Sequence, residues 1–482
     1  KSYDDRIEAF IEALNEEPEV LGDLEYLIID EIQDLVGVRA RMVKTILEKI
    51  TCGFMLLGDK CQSIYDYQVA DNPNELSSKD FYIWLESGFF EGLEGYELTN
   101  NRRQTAELAM ISQELRTAIL SDDIACAQET IDIALSLVDP LELKELPALL
   151  EAYPDHNLAI LCRTNARVGA ISKILHDLEI PHSVALGSQH VVLAPWIARV
   201  LGDYTERLLG FGHFEDRVLA LGLENPAGKW QALKVLEGEA VENVLDLSIL
   251  RPVLAKKRNI PEELDLALQK NRVTVSTIHR AKGKEYDQVL WVREVGEDNE
   301  PKVAYVAMSR PKEELHNMNA KWRFYVKNLP TSSARPIQTG LPMNGGKPYC
   351  YGFLLGMEDD LNPLSFVSGD PLKAREIQEY LGTSVQSGDP VDIALMRGSY
   401  RVFHNGMEIG VLSSEAKQDL WVAMQVTNRS KNYPPELRHA FIRSVVTVAY
   451  EGYNEHIAEP YATSGLWLGV EVGGLARTKW EG

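Results

Sequence analysis

The sequence predicts an α/β protein with a β-rich region appended at its carboxyl end, and three observations carry that prediction. Over the first hundred residues or so, apolar runs that stop at acids are separated by a helical pattern: EYLIID, then RARMVKTILEKI, then GFMLLGD. The same alternation returns at LAILCRTN and at VTVSTIHRAKGKEYDQVLWV. Beyond about residue 330 it gives way to strand-like stretches, among them YRVFHNGMEIGVL, RSVVTVAY and LWLGVEV. Continuous apolar strands joined by helices indicate a parallel sheet covered on both faces.

Taken in order, YDDRIEAFIEALNE reads as a polar helix ahead of the first strand, and RARMVKTILEKI as the helix between the first two strands. A helix follows at TAELAMISQELRTAIL. The acidic, Leu-rich DPLELKELPALLEAYPDHN then leads into the strand LAILCRTN and the helix ARVGAISKILHDLEI, which stops before Pro181. Residues 187–270 are mostly helical in pattern, carry Trp196, Trp230 and the basic run Lys256, Lys257, Arg258, and read as an insertion. The α/β pattern closes with the helix candidate VAYVAMSRPKEEL. The stretch TSSARPIQTGLPMNGGKP reads as a linker, and Asn405 and Gly406 as the turn of a hairpin, because this pair accepts the positive φ angles of a type I′ turn.

Composition narrows the class. With 482 residues, 45% apolar and 25% charged, the chain has the balance of several packed domains rather than of a disordered polymer. It contains no apolar run long enough for a membrane span, and no membrane partner is expected. Five scattered cysteines without a CxxC pair suggest reduced thiols and a cytoplasmic setting. The formal charge of −23 disfavours binding nucleic acid over the whole surface, so any such contact must be a local groove.

The chemistry concentrates at the strand ends. LIIDEIQD, Leu27 to Asp34, places Asp30 and Glu31 where an apolar strand stops. Acids there either cap the next helix or, in nucleotide hydrolases, hold Mg²⁺ and polarise a water towards the γ-phosphate. The second strand ends in GDKCQSIYDYQ, Gly58 to Gln68. Gly58 would let the backbone pass close to a ligand, Gln62 offers a donor and an acceptor, and Tyr65 and Tyr67 offer rings for an unpaired base. A tight turn with half-buried tyrosines is the alternative.

The two segments together resemble motifs II and III of superfamily 1 helicases of the UvrD/Rep type. The likeness continues in chain order. LTNNRRQT, from Leu98, resembles motif IV; AILCRTNA resembles the strand that opens the second motor domain; VSTIHRAKGKEYD and YVAMSRPK resemble motifs V and VI. The resemblance implies two RecA-like motor domains of P-loop NTPase fold, the first incomplete, with a small helical insertion and the β-rich region. Their expected borders are 1–104 for the first, 105–186 with 271–330 for the second, 187–270 for the insertion and 331–482 for the accessory domain.

Roles follow by the same likeness. Asp30 would coordinate Mg²⁺ through its water shell and Glu31 would be the general base. Gln62 would link phosphate state to domain movement, and Arg103 and Arg310 would stabilise charge on the transferred phosphoryl group. Gly283 and Glu285 would meet the γ-phosphate and the ribose, and Arg102 stands where the family has an adenine-stacking Tyr. Tyr65, Tyr67, Thr277 and His279 would contact DNA, with Arg163 and Asn165 as further backbone contacts. Lys284 and Pro311 replace the usual apolar residue and Ala of motifs V and VI.

The phosphate-gripping loop GxxxxGK[ST] is not in the sequence, and in this family it precedes motif II. Because Lys1 stands where a new chain carries Met, the expectation is a segment upstream, and the chain as written is expected not to hydrolyse ATP efficiently. The resulting reading is an ATP- and Mg²⁺-dependent translocase or helicase on single-stranded or partly duplex DNA, running 3′ to 5′. A non-hydrolysing, helicase-derived DNA-binding or regulatory subunit is the alternative. A third reading, a helicase with a nuclease attached, rests on PVD at Pro390 to Asp392 and EAK at Glu415 to Lys417, although EAK after two serines also reads as a helix start. The β-rich region is expected to be a small SH3-like or OB-like barrel that binds nucleic acid or a protein partner.

Overall fold

The computed structural model describes the chain except for residues 1–2, 71, 73, 88–91, 186–190, 239–242, 267–270, 294–299, 320–325, 330, 332–334, 340–349, 358, 368, 428–432, 453 and 480–482. Most of the expected linker Thr331 to Pro348 lies outside the described residues. The chain forms two compact units, Lys1–Leu141 with Ile278–Ala320, and Glu142–Thr277 with Lys321–Gly482. This division cuts across the borders read from the motifs, since Ile278–Ala320 groups with the amino-terminal segment.

In the first unit the opening helix spans Tyr3–Glu16. Strands Tyr26–Ile29 and Gly53–Leu56 pair in parallel, Tyr26 opposite Gly53 and Ile29 opposite Leu56, with helix Gly37–Lys49 between them. Ala40, Val43 and Leu47 of that helix pack with Phe81 and Leu85 of helix Ser78–Leu85, and Leu27, Ile29, Phe54 and Leu56 cover this cluster from the sheet. The other face of the pair carries Tyr26, Ile28 and Met55, all exposed. The expected two-sided cover is therefore corrected: alternate strand residues point to opposite faces, and among the described residues the helices lie on one of them. Helices Ala106–Leu120 and Ile124–Ser136 follow.

A second parallel pair completes the unit, Tyr286–Arg293 with Pro311–Asn319. Between them runs helix Pro301–Met308. The expected helix through VAYVAMSRPKEEL thus ends before Ser309, and its last residues form a strand. Pro311 explains the change, because it has no N–H to give the preceding turn and fits the first position of a strand.

The second unit contains the parallel strands His182–Ala185, Val273–Thr277 and Leu158–Cys162, with Val273–Thr277 in the middle. Leu158–Cys162 is buried along its whole length, as its unbroken apolar sequence requires. Helix Asn165–Asp177 follows it. Residues 191–266 hold helices Pro195–Leu201, Phe211–Ala220, Pro226–Glu237 and Leu247–Lys256, together with the short antiparallel pair Leu208–Gly210 and Val244–Asp246. Trp196, Phe214 and Trp230 are buried together at their centre.

The carboxyl-terminal part is an eight-stranded antiparallel sheet in the order Val326–Asn328, Pro336–Thr339, Cys350–Leu355, Leu466–Lys479, Glu436–Ala449, Pro390–Met396, Ser399–His404, Met407–Val411. Its two 14-residue strands, Glu436–Ala449 and Leu466–Lys479, form its spine. A sheet of this extent replaces the small barrel expected from one hairpin. Asn405 and Gly406, at φ 48° and 81°, make the turn of that hairpin. Helices Pro371–Thr383 and Ser414–Ala423 contribute Ala374, Leu381 and Leu420 to its core. The EAK stretch forms the first turn of the latter, with Ser413 Oγ accepting the Ala416 N–H at 3.0 Å. No helix among the described residues is long and apolar enough to cross a membrane.

Candidate nucleotide-hydrolysis site

The site is assembled within the first unit, from residues far apart in sequence. Strand Tyr26–Ile29 delivers Asp30 and Glu31 to its carboxyl end, and both are exposed. Asp30 Oδ1 accepts the Glu31 N–H at 2.8 Å. Glu31 adopts φ 56°, a left-handed conformation that a non-glycine residue rarely takes, and that turn projects its carboxylate beside the next segment.

Gln33, 1% exposed, ties this turn to the neighbouring strand end. Its amide donates to Glu31 Oε2, and its Oε1 accepts the Asp59 N–H at 2.9 Å. Gly58 makes the approach feasible, because a Cβ there would lie 2.6 Å from Gln33 Oε1 and 2.7 Å from Ile32 Cγ1. The close passage expected at Gly58 is thus towards Gln33.

Asp59 caps the short helix Lys60–Gln62, accepting from the Cys61 N–H at 3.1 Å and from Gln62 Nε2 at 2.9 Å. Arg116, from helix Ala106–Leu120, also donates to Asp59 and pairs with Glu97 at 3.2 Å. Gln62 Oε1 in turn accepts from Arg310 Nη2 at 3.1 Å.

Arg310 is 1% exposed and has no carboxylate within ion-pair range among the described residues. Its remaining hydrogen bonds go to Val306 O at 3.1 Å, Lys284 O at 3.2 Å and Ser309 Oγ at 2.9 Å. Burial, reinforced by the nearby Arg103 charge, lowers its pKa to about 10, so it stays a cation at neutral pH. A buried cation satisfied only by neutral acceptors suits an anion that arrives from outside.

Arg103 Nε pairs with Glu285 Oε2 at 3.0 Å, both side chains being nearly half exposed. Lys312 lies 3.1 Å from Glu285 Oε1, and hydrogen bonding to Lys312 sets the Glu285 carboxyl below its ordinary pKa against the opposing effect of burial. Gly283, at φ 75°, shapes the loop ahead of Glu285. Arg102 is exposed in an irregular stretch.

Beside the acids stands Lys282, whose side chain is 5% exposed. Its Nζ pairs with Asp34 and lies 3.5 Å from Glu31 Oε2 and 5.7 Å from the centre of the Tyr65 ring. Burial raises the Asp34 carboxyl above its ordinary pKa, with Lys282 pulling the other way.

Tyr65, Tyr67 and His279 form a ring cluster. Centroids of Tyr65 and Tyr67 are 6.5 Å apart, those of Tyr65 and His279 5.9 Å, and those of Tyr67 and His279 5.8 Å with the rings edge to face. Tyr65 Oη donates to His279 O at 3.3 Å. Tyr67 is 61% exposed and offers a free ring face.

The second unit carries the other sequence-derived candidates. Thr277 ends its strand opposite Cys162, so Arg163 and Thr277 share one end of the parallel sheet. Asn165 opens the helix that Thr164 caps by accepting the Arg167 N–H at 3.3 Å.

The first unit therefore gathers Asp30, Glu31, Gln62, Arg103, Arg310, Gly283, Glu285, Tyr65, Tyr67 and His279, while Arg163, Asn165 and Thr277 lie in the second. Sequence reasoning missed Gln33, Gln104, Arg116 and Lys282. Gln33, Gln104 and Lys282 sit inside the quoted motifs, but only their burial and partners reveal a role.

Among the described residues no three acids, histidines or cysteines gather as a metal cage. A single exposed carboxylate such as Asp30 suits Mg²⁺, which keeps most of its water and takes phosphate oxygens.

Comparison with known proteins bears on the same segments. Residues 1–82 match the family described as the UvrD/REP helicase N-terminal domain, and residues 240–320 match the UvrD-like helicase C-terminal domain. Among curated proteins, ATP-dependent DNA helicase srs2 of Schizosaccharomyces pombe is 24% identical over 200 residues, which cover 37% of this chain and 21% of that relative. The match thus spans about a fifth of the relative's length.

Proposed function

The chain belongs to the UvrD/Rep-type helicases, and from that premise we propose that it is the hydrolysis and DNA-contact portion of an ATP-dependent DNA translocase that moves 3′ to 5′ and separates duplex strands. The observation that carries the proposal is the hydrogen-bonded line from Arg310 through Gln62 to Asp59 and on through Gln33 to Glu31. It connects a buried cation to an exposed acid across three separate sequence segments. A purely DNA-binding module has no chemical use for that line, which disfavours the non-hydrolysing alternative.

In this reading Glu31 accepts the proton of the attacking water, and Asp30 would be the residue that holds Mg²⁺. When bound, Mg²⁺ neutralises charge on the β- and γ-phosphates. Arg310 donates to the phosphoryl oxygens as negative charge develops, and Arg103 leaves Glu285 to do the same. Gln62, bonded to Arg310, senses whether that anion is present. Glu285, once released, is available to the ribose, and Arg102 to the face of the base. The phosphate-gripping loop has no counterpart in this sequence, so the chain by itself is proposed to turn ATP over slowly.

DNA contact is assigned to Tyr65, Tyr67 and His279 in the first unit, and to Thr277, Arg163 and Asn165 in the second. The motor-domain borders read from the motifs, and a protein partner for the carboxyl-terminal sheet, belong to the same proposal. The test is strand separation by the complete gene product, with ATP and Mg²⁺, on duplexes bearing a single-stranded tail at either the 3′ or the 5′ end. Unwinding confined to 3′-tailed substrates supports the reading. Unwinding of neither, or without need for ATP, overturns it.

A further inference from the structure

Gln104 has every hydrogen-bonding position of its side chain filled, and all four partners belong to the two segments that carry the phosphate-directed arginines or to the helix that follows the first of them. Its Nε2 donates to Met308 O at 2.9 Å and to Pro311 O at 3.0 Å, the carbonyls that flank Ser309 and Arg310. Its Oε1 accepts from Asn101 Nδ2 at 2.9 Å and Ser112 Oγ at 2.8 Å. Asn101 Oδ1 meanwhile accepts the backbone N–H groups of Arg103 at 3.0 Å and Gln104 at 3.1 Å. The Thr105 N–H donates to Lys312 O at 2.9 Å. Apart from these bonds and the Arg103–Glu285 ion pair, the stretch from Leu98 to Arg103 is irregular and exposed, so the backbone that carries Arg103 is held mainly through Asn101 and Gln104.

We propose that Gln104 is a positioning residue that holds the Arg103 loop in register with Arg310, so that both guanidiniums meet one phosphoryl group together. The proposal rests on the function given above and adds to it a residue that touches no substrate. The carbonyls of Met308 and Pro311 lie at the end of a helix and the start of a strand, where neither is committed to a regular ladder. A glutamine amide, with two donors on one nitrogen, can satisfy both at once. Neither Ser nor Thr has that reach. An error of about 1 Å in the placement of a charge-stabilising group costs up to about 100-fold in rate. A side chain that fixes such a placement should therefore act on kcat and leave ground-state binding alone.

The experiment is steady-state ATP hydrolysis by the complete gene product with saturating single-stranded DNA, comparing wild type, Gln104→Met, Arg103→Ala, Arg310→Lys and the double variant Gln104→Met with Arg103→Ala. Gln104→Met keeps the length of the side chain and removes its donors. The expected result is a kcat lower by about 10- to 100-fold for Gln104→Met, with KM for ATP and Kd for DNA within about twofold of wild type. In the double variant the Gln104 change should add no further loss, because the arginine it positions is gone. Amide exchange across residues 101–105 should accelerate in Gln104→Met, a readout independent of activity.

A wild-type kcat in Gln104→Met, or a full additional loss in the double variant, overturns the inference while the arginine variants still report on the function. If Arg103→Ala and Arg310→Lys leave hydrolysis intact, the functional reading fails, and the positioning role fails with it.

Discussion

Arg310 Nη2 donates to Gln62 Oε1 at 3.1 Å, so a buried cation with no carboxylate in ion-pair range among the described residues is anchored through a neutral amide. The same amide donates to Asp59 Oδ2 at 2.9 Å. Gln62→Ala removes both links. Hydrolysis by the complete gene product should fall by about 10-fold or more. DNA affinity, measured by fluorescence anisotropy, should change little, because Gln62 is not among the residues assigned to DNA contact.

Lys282 is expected to matter for stability as well as function. Its buried ammonium serves Asp34 and lies 3.5 Å from Glu31. Lys282→Met strands these acids beside an apolar side chain and should cost on the order of 1–3 kcal/mol in chemical denaturation, the modest range reflecting the partial exposure of both acids. Adding Asp34→Asn should recover part of that loss. Two additive losses would show that the pair does not interact.

The ring cluster predicts a split between two tyrosines. Tyr67, exposed beside His279, should contribute about 1–3 kcal/mol to single-stranded DNA binding, lost in Tyr67→Ala and largely kept in Tyr67→Trp. Tyr65, half buried, with its hydroxyl on His279 O, should affect fold and binding together. Equal affinity of wild type and Tyr67→Ala for a labelled oligonucleotide would remove Tyr67 from the contact surface.

His182 gives the second unit a pH signature. Its Nδ1 is 2.8 Å from Ile180 O and its Nε2 2.7 Å from Ser172 Oγ, a geometry that fits a neutral ring donating from Nδ1 and accepting at Nε2. Burial, with a smaller contribution from His176, lowers its pKa below the ordinary histidine value. The unfolded chain therefore binds the proton more readily. Stability contributed by the neutral ring is present above the unfolded pKa, near 6.5, and is lost as pH falls below it. Denaturation midpoints at pH 7.5 and pH 5.5 should differ less in His182→Gln than in wild type.

Much of this molecule was legible in its sequence where periodicity and backbone chemistry decide the outcome. The opening helix, the strands leading to Asp30 and Asp59, the buried strand Leu158–Cys162 and the Asn405–Gly406 turn all follow from apolar spacing or from residues that tolerate a positive φ. Pro311 was legible too, but the helical pattern around it was stronger than the single proline. The exposed face with Tyr26, Ile28 and Met55 was not, because an apolar run reads the same whether one of its faces is covered or both.

For the site, the acids and arginines stand out in the motifs by type and order. The side chains that join them do not: Gln33, Gln104 and Lys282 look like ordinary polar residues until burial and long-range partners are known.

The most direct measurement is DNA-stimulated ATP hydrolysis by the complete gene product carrying Glu31→Gln, an exchange that keeps an oxygen for Gln33 and removes the base. The expected result is a fall of about 100-fold or more in kcat with DNA binding retained. Hydrolysis at the wild-type rate would contradict the assignment of Glu31, and with it the claim that this line of residues is built for phosphoryl transfer.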